Sequence, residues 1–254
     1  MRLTFLGTGT STGVPQIGCG CPTCKSADSR DKRMRTSALL SVGDKEILID
    51  CGPDFRTQLL AYHNGRIDAL LVTHTHYDHV GGIDDLRPFT YPDGFDIYCR
   101  ADVSRDLHQR LPYCFVEHPY PGVPVLHLHE IRESETFDVG GVEVLPLPVM
   151  HARLPILGFR IGRMAYITDA KTLPAGTLDA VKEVDTLVIN ALRHEEHMSH
   201  LNLAQALDVI KAVNPRVAYL THLSHQMGLH AEVEPTLPRN VKIAYDGLTV
   251  DIPD

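Results

Sequence analysis

The run Leu70-Leu71-Val72-Thr73-His74-Thr75-His76-Tyr77-Asp78-His79-Val80-Gly81-Gly82 constrains this chain more than any other stretch. Its apolar start reads as a buried strand, which runs straight into a loop carrying three imidazoles and a carboxylate. His74 and His76 alternate, so they can face the same way at the end of an extended segment, with Asp78 and His79 turned elsewhere toward a second ion. Neutral imidazole and carboxylate are the usual ligands of zinc and similar divalent metals. Surface histidines behind a core strand are the plainer alternative, but the density of ligand types argues against it.

At 254 residues the chain can build one large core or two small ones, and no linker-like stretch divides it. One domain over residues 1–254 is therefore expected. Hydrophobic content of 43% and charged content of 22% describe an ordinary globular composition. No apolar run approaches the roughly 20 residues that span a bilayer, and Met1 to Gly7 is too short for a signal peptide's apolar region. A cytoplasmic setting without a membrane partner follows as an expectation. The formal charge of -8 argues against a polyanion held on a broad basic face, so long nucleic acid is not expected, whereas a small anion held by bound metal is compatible.

Three of the six cysteines sit together as Cys19-Gly20-Cys21-Pro22-Thr23-Cys24. In a reducing compartment, closely spaced thiolates on a Gly- and Pro-rich loop, at about residues 15–28, suit one tetrahedral zinc rather than disulfides. Three thiolates need a fourth ligand.

Along the chain, Leu3 to Leu6 reads as a first strand and Gly7 to Gly13 as a turn packed beneath the metal site. That turn is no P-loop, because no Gly-Lys-Ser/Thr follows. Arg30 to Arg35 reads as a solvated loop, with a phosphate anchor at Arg33 or Arg35 as the lesser reading. Strands are expected at Ser37 to Val42 and Glu46 to Asp50, with Cys51 as a small buried hydrophobe. Gly81 to Leu86 should open a helix that ends near Arg87-Pro88. His108, His118, His127 and His129 show no ligand spacing. His127 and His129 fit an exposed strand face.

Val142 to Val149 reads as a strand, placed at an edge by Pro146 and Pro148, and it delivers His151. Met164 to Ile167 delivers Asp169, a carboxylate able to bridge two cations. Thr186 to Asn190 is the next strand. His194-Glu195-Glu196-His197 misses the His-Glu-x-x-His spacing and reads as a solvated, acidic loop. Leu203, Ala206, Leu207, Ile210 and Val213 recur at helical spacing before Asn214-Pro215, so His200 lies just before a helix, where an anion is favoured. Val217 to Thr221 leads to His222, and Ile243 to Ile252 reads as a hairpin around Asp246-Gly247.

The pattern His-x-His-x-Asp-His after such a strand resembles the signature of the metallo-β-lactamase superfamily, and the resemblance extends over nearly the whole chain. It implies an α/β fold of αβ/βα type, in which two mixed β-sheets pack face to face with helices outside. It also implies His74, His76 and His151 on one metal, Asp78, His79 and His222 on the other, and Asp169 between them. Zinc and manganese both suit that set. Asp50 would support the metal loop without ligating.

The cysteine loop is similar to the structural zinc loop of the PhnP-like phosphodiesterases of the bacterial carbon-phosphorus lyase pathway. There the fourth ligand is a His three residues after the last active-site His, which here is His225. His200 aligns with the acid or phosphate-contact residue of related phosphodiesterases. The implied function is a metal-dependent phosphodiesterase for a small phosphodiester, of the phosphoribosyl 1,2-cyclic phosphate or 2′,3′-cyclic nucleotide type. Its nucleophile would be a hydroxide of the dinuclear centre, with His200, as imidazolium, and Asp78 as catalytic residues.

The alternative is a tRNA 3′-processing endonuclease, disfavoured by the acidic balance and the absence of a basic clamping arm. A thioesterase or a nonenzymatic metal or nucleotide sensor ranks lower. Related enzymes imply a homodimer. Tyr77 and the segment from Phe89 to Tyr98 are candidate cleft walls.

Overall fold

The computed structural model describes residues 1–63, 65–117 and 120–253. β1 (Arg2–Gly7), β2 (Ser37–Val42), β3 (Lys45–Ile49), β4 (Ala69–Leu71), β5 (Phe95–Cys99) and β6 (Leu126–Glu130) build most of a first sheet. β7 (Phe137–Val139), β8 (Val142–His151), β9 (Leu154–Ile161), β10 (Met164–Ile167), β11 (Thr186–Asn190), β12 (Val217–Thr221) and β13 (Val241–Ile243) build a second. β14 (Thr249–Asp251) returns to the first sheet beside β1. The orders are β14-β1-β2-β3-β4-β5-β6 and β13-β12-β11-β10-β9-β8-β7. Both sheets are mixed: β3 to β6 and β10 to β13 run parallel, and the hairpin-linked strands antiparallel.

Alternation along the central strands makes two packed faces. Leu3, Phe5, Leu40 and Ile49 meet Leu157, Phe159, Tyr166 and Val188 between the sheets. The intervening residues point outward and are covered by helices. α1 (Pro22–Lys25) is one turn inside the cysteine loop. α2 (Phe55–Tyr62) covers Leu6, Leu48 and Leu70, α3 (Tyr77–Val80) is the turn that carries Asp78 and His79, and α4 (Ala101–Arg110) lays Val103 and Leu107 on the same face. α5 (Ala175–Ala180), α6 (Leu203–Val213) and α7 (His230–Val233) lie on the other side, where Ala206 and Ile210 of α6 cover Leu187, Ile189 and Leu220. Each such side chain contributes about 1.5–3 kcal/mol on full burial, which is why doubly covered strands such as β3 read as unbroken apolar runs. This is the αβ/βα sandwich expected from the sequence.

Pro146 and Pro148 sit where β8 has only β9 beside it, since β7 reaches no further than Val144. The expected edge position holds there. α6 begins with a capping box of Asn202 and Gln205 and stops at Asn214, as its periodicity and Asn-Pro stop predict. Among the described residues no helix is long and apolar enough to cross a membrane.

Four expectations need correction. Residues 243–252 form no hairpin: β13 pairs with β12 and β14 with β1, so the Asp246-Gly247 turn carries the chain from one sheet to the other. Two separate apolar cores take Ile243 and Ile252, and that outweighs local turn chemistry. The helix expected from Gly81 is instead a 3-10 turn at Ile83–Phe89, and the α-helical turn α3 stops before Gly81. Gly82 donates to Cys51 O, and a Cβ there would lie 2.1 Å from Gly52 O, so the chain leaves the α-helix to make this approach.

Arg33 is not solvated: it is 6% exposed, and its Nη1 donates to Thr8 Oγ1 and Ala244 O at 2.8 and 2.6 Å. Arg35 is paired with Asp54. Phe89 and Phe95 pack with Phe55 in the outer core. Tyr77 stands exposed beside His76, its ring over Gly81. His129 and His127 lie on the exposed face of β6, where His129 Nε2 meets Asp96 at 2.7 Å, and His118 lies outside the described residues.

Candidate metal centre

Five parallel strands lead into one site: Asp50 follows β3, β4 runs into Thr73 and His74, β10 leads to Asp169, β11 ends at Asn190 and β12 leads to His222. Carboxyl ends of parallel strands are where open α/β sheets place ligands. Asp50, Asp169 and His222 each adopt a left-handed backbone, at φ of 58°, 54° and 55°. A non-glycine residue in that region is strained, and three together turn their side chains off the strand ends into one point.

Asp50 is fully buried. It accepts the Thr73 N–H and Oγ1–H, both at 2.8 Å at the shortest, and the His79 Nδ1–H at 2.7 Å. The Thr73 hydroxyl, having donated to Asp50, accepts from His74 Nδ1 at 3.0 Å. His151 Nδ1 donates to the carbonyls of Asp169 and Ser199, each at 2.8 Å. In all three rings Nδ1 carries the proton, so Nε2 keeps its lone pair, the arrangement that metal-ligating histidines use.

Those lone pairs converge on carboxylates. His79 Nε2 lies 3.2 Å from Asp78 Oδ2 and 3.3 Å from Asp169 Oδ1, and His222 Nε2 lies 3.5 and 3.2 Å from the same two oxygens. On the other side Asp169 Oδ2 faces His74 Nε2 at 4.0 Å and His200 Nδ1 at 3.7 Å. Ligand atoms of Asp78, His79, Asp169 and His222 lie within 4.8 Å of one another, as do those of His74, His76 and Asp169, and those of His151, Asp169 and His200. The Nε2 atoms of His74, His79 and His222 are buried without a hydrogen-bond partner. A buried polar atom left unpaired is costly, so these orphaned donor atoms fit divalent cations.

The electrostatics point the same way. Burial pushes the Asp169 carboxyl up, but the His222 and His79 rings beside it outweigh that and hold it well below the usual carboxylate range. Burial likewise raises Asp78, and the adjoining His79 and His222 rings together more than reverse it. Both stay ionised. Burial pushes His74 well below its ordinary value. His200, 8% exposed two residues before the N-cap Asn202, is pushed down to about 3, by burial first and by His222 next. Its resting form is the neutral imidazole, not the imidazolium expected from the sequence.

Cys19, Cys21, Cys24 and His225 form a second cluster, again within 4.8 Å. His225 Nδ1 lies 3.4 Å from Cys19 Sγ and 3.2 Å from Cys21 Sγ. The Cys24 backbone N–H, then His225, lower the Cys21 thiol to about 6, while burial raises Cys24 to about 11. Three sulfurs and one imidazole nitrogen suit a tetrahedral zinc. The turn Gly7 to Gly13 packs beneath both clusters, through Thr10 N to Leu223 O and Leu223 N to Thr8 O.

Three supporting residues escape a reading of the sequence. Thr73 links His74 to Asp50, and Ser199 supplies a carbonyl to His151. Asn190 at the end of β11 grips Ala170 with both ends of its amide, Nδ2 to the carbonyl at 3.0 Å and Oδ1 from the N–H at 2.7 Å, fixing the turn that follows Asp169. An amide closing an otherwise apolar strand, Leu187-Val188-Ile189-Asn190, was the available signal.

Residues 45–223 match the β-lactamase superfamily domain. An octanoyltransferase of Porphyromonas gingivalis is 46% identical over 98% of this chain, which spans only 51% of that protein. A crystal structure of a new diphosphatase from the PhnP family aligns with a TM-score of 0.93 at 34% identity, covering 99% of this chain and 98% of that one. Zinc-bound PqqB from Methylobacterium extorquens shares the fold, with a TM-score of 0.82 at 22% identity over 99% of this chain and 100% of that one. This chain belongs to the β-lactamase superfamily, with the metallo-β-lactamase fold and in its PhnP-like branch.

Proposed function

We propose that residues 1–254 act as one phosphodiesterase domain that hydrolyses a small phosphodiester, of the phosphoribosyl 1,2-cyclic phosphate or 2′,3′-cyclic nucleotide type. The observation that carries the reading is the two-sided Asp169, with Oδ1 on His79 and His222 and Oδ2 toward His74 and His200. His74, His76 and His151 would hold one divalent cation, Asp78, His79 and His222 another, and Asp169 both. Zinc or manganese suits this set, and a structural zinc suits Cys19, Cys21, Cys24 and His225. Two such cations, when bound, bring the pKa of water to about neutrality and stabilise the oxygens of an in-line displacement at phosphorus.

The chain's own groups do the rest. Asp78 stays ionised, so it can accept a hydrogen bond from the entering water and orient it. His200, neutral and buried against Asp169, can donate its N–H to a nonbridging phosphate oxygen. That hydrogen bond would strengthen as negative charge builds on the phosphate oxygens. The buried Asp50, Thr73 and Ser199 contacts hold the rings so that no reorientation is needed during the reaction.

A nucleotide phosphoanhydride is the second reading, because the PhnP-family structure at 34% identity is described as a diphosphatase. Acyl transfer, the activity named for the Porphyromonas relative, belongs to a protein about half of which this chain spans. A site that activates water favours hydrolysis over transfer. A reducing, cytoplasmic setting suits free thiols meant for zinc, and a homodimer is carried over from the resemblance.

Steady-state hydrolysis by the zinc- and manganese-loaded protein tests this. The substrates are a 2′,3′-cyclic nucleotide, a phosphoribosyl cyclic phosphate, a dinucleoside diphosphate, a precursor tRNA and an octanoyl thioester. Cleavage of a cyclic phosphodiester that collapses in His200→Ala is expected. Turnover of only the tRNA or the thioester would overturn the assignment.

A further inference from the structure

The 3-10 turn His225–Met227 has two sets of partners. His225 meets the thiols, with Nδ1 3.4 Å from Cys19 Sγ and 3.2 Å from Cys21 Sγ. The residues on either side of it bond instead to the loop between β11 and α6. Ser224 donates both its backbone N–H and its hydroxyl to the Leu192 carbonyl, each at 2.9 Å. Gln226 Oε1 accepts from Arg193 Nη1 at 2.8 Å, and the Met227 carbonyl accepts from His194 Nε2 at 2.9 Å. Leu192, Leu201 and Met227 also share one apolar cluster, so burial ties the turn to the loop as well.

That loop carries His200. Residues 191–202 belong to no helix or strand, so no ladder fixes their place and a few bonds must. From Leu192 the path to the metal centre is short: its N–H donates to Leu201 O at 3.0 Å, and the Leu201 N–H donates to Ala170 O at 2.7 Å, beside Asp169. His200 therefore lies between Leu201, bonded on both sides, and Ser199, whose carbonyl accepts from His151 Nδ1. Its own Nδ1 faces Asp169 Oδ2 at 3.7 Å and is buried without a hydrogen-bond partner. The backbone of the loop, rather than a side-chain partner, sets where this ring stands.

We infer that the turn His225–Met227 is a coupling element, through which a zinc ion held by Cys19, Cys21, Cys24 and His225 sets the position of His200, with Ser224 as its positioning residue. Without that ion only weak sulfur hydrogen bonds hold His225, and the loop loses its fixed end. The inference rests on the phosphodiesterase reading above for its rate measurement alone.

Amide hydrogen exchange of the whole chain, metal-loaded at the His/Asp centre, tests it. Segments within 191–202 should exchange about tenfold faster in Cys24→Ser than in the wild type, a gain larger than that in β10 to β12. Ser224→Ala leaves all four zinc ligands in place, so it should keep its zinc and still loosen the loop. Ser224→Thr, which retains a hydroxyl, should restore the protection. Wild-type exchange of the loop in Cys24→Ser or in Ser224→Ala overturns the inference. A gain no larger than that of the strands overturns it too, because the zinc would then steady the whole fold.

A kinetic cycle on a 2′,3′-cyclic nucleotide asks whether the coupling runs through His200. Cys24→Ser should lower kcat about tenfold with KM little changed, and should add nothing in the His200→Ala background, since both changes act on the same ring. Full additivity of the two substitutions would overturn the assignment. If the wild type turns over no cyclic phosphate, the phosphodiesterase reading fails, while the exchange result still decides the coupling.

Discussion

Asp50 Oδ2 lies 2.7 Å from His79 Nδ1, with both side chains wholly sealed from solvent. The pair fixes the tautomer of a candidate ligand from 29 residues away in sequence, while the same carboxylate holds Thr73 and, through it, His74. Asp50→Ala would free both rings to turn. Metal affinity of the His/Asp centre should fall about 10–100-fold, read by competition with a chromophoric chelator. Unchanged affinity would show that Asp50 does not orient these rings.

Asn190 supports the centre from the other sheet. In Asn190→Ala the Ala170 N–H is left buried without an acceptor, which costs about 2 kcal/mol in denaturant unfolding of the metal-loaded protein. Asn190→Asp should lose at least as much, because a carboxylate would face the Ala170 carbonyl. A variant as stable as the wild type would mean that the turn after Asp169 is held by other contacts.

Removing one sulfur should separate the two metal clusters. Cys24→Ser is expected to lose one equivalent of zinc by elemental analysis and to keep the metal of the His/Asp centre, since no residue is shared between them. Unfolding should also become easier as the cysteine loop loses its clasp. Wild-type zinc content in the variant would remove Cys24 from the ligand set.

Asp246 should leave a signature in pH. Burial raises its carboxyl to about 7, against the N–H of Met34 and the donors of Thr8. A carboxyl that is raised in the fold binds a proton there which the unfolded chain has already released. Its contribution to stability therefore falls as pH rises from about 4 to about 7, by at most about 1.4 kcal/mol per pH unit, and is level above. The stability difference between wild type and Asp246→Asn should show that slope in denaturant titrations. Carboxyls lowered in the fold, such as Asp78 and Asp169, act in the opposite sense and below their ordinary range, so they fall outside this window. A flat difference would mean that the carboxylate is already ionised at pH 4.

Much of this molecule was legible before folding was considered. His74, His76, Asp78 and His79 follow one apolar strand, and His151, Asp169 and His222 each end another, so local periodicity places every candidate ligand at a strand terminus. The three cysteines declare their loop by spacing alone. Those features depend on near neighbours, which a sequence displays directly. Tertiary structure alone decided what joins distant segments: Asp50 on His79, Ser199 on His151, Asn190 on Ala170, and the buried Arg33 under Thr8. It also sent β13 and β14 to different sheets, because two separate cores bury more apolar surface than a local hairpin would. The sequence by itself determined which chemistry each strand end carries. The packing of two sheets decided which ends meet, since burying their apolar faces draws together segments distant in the chain.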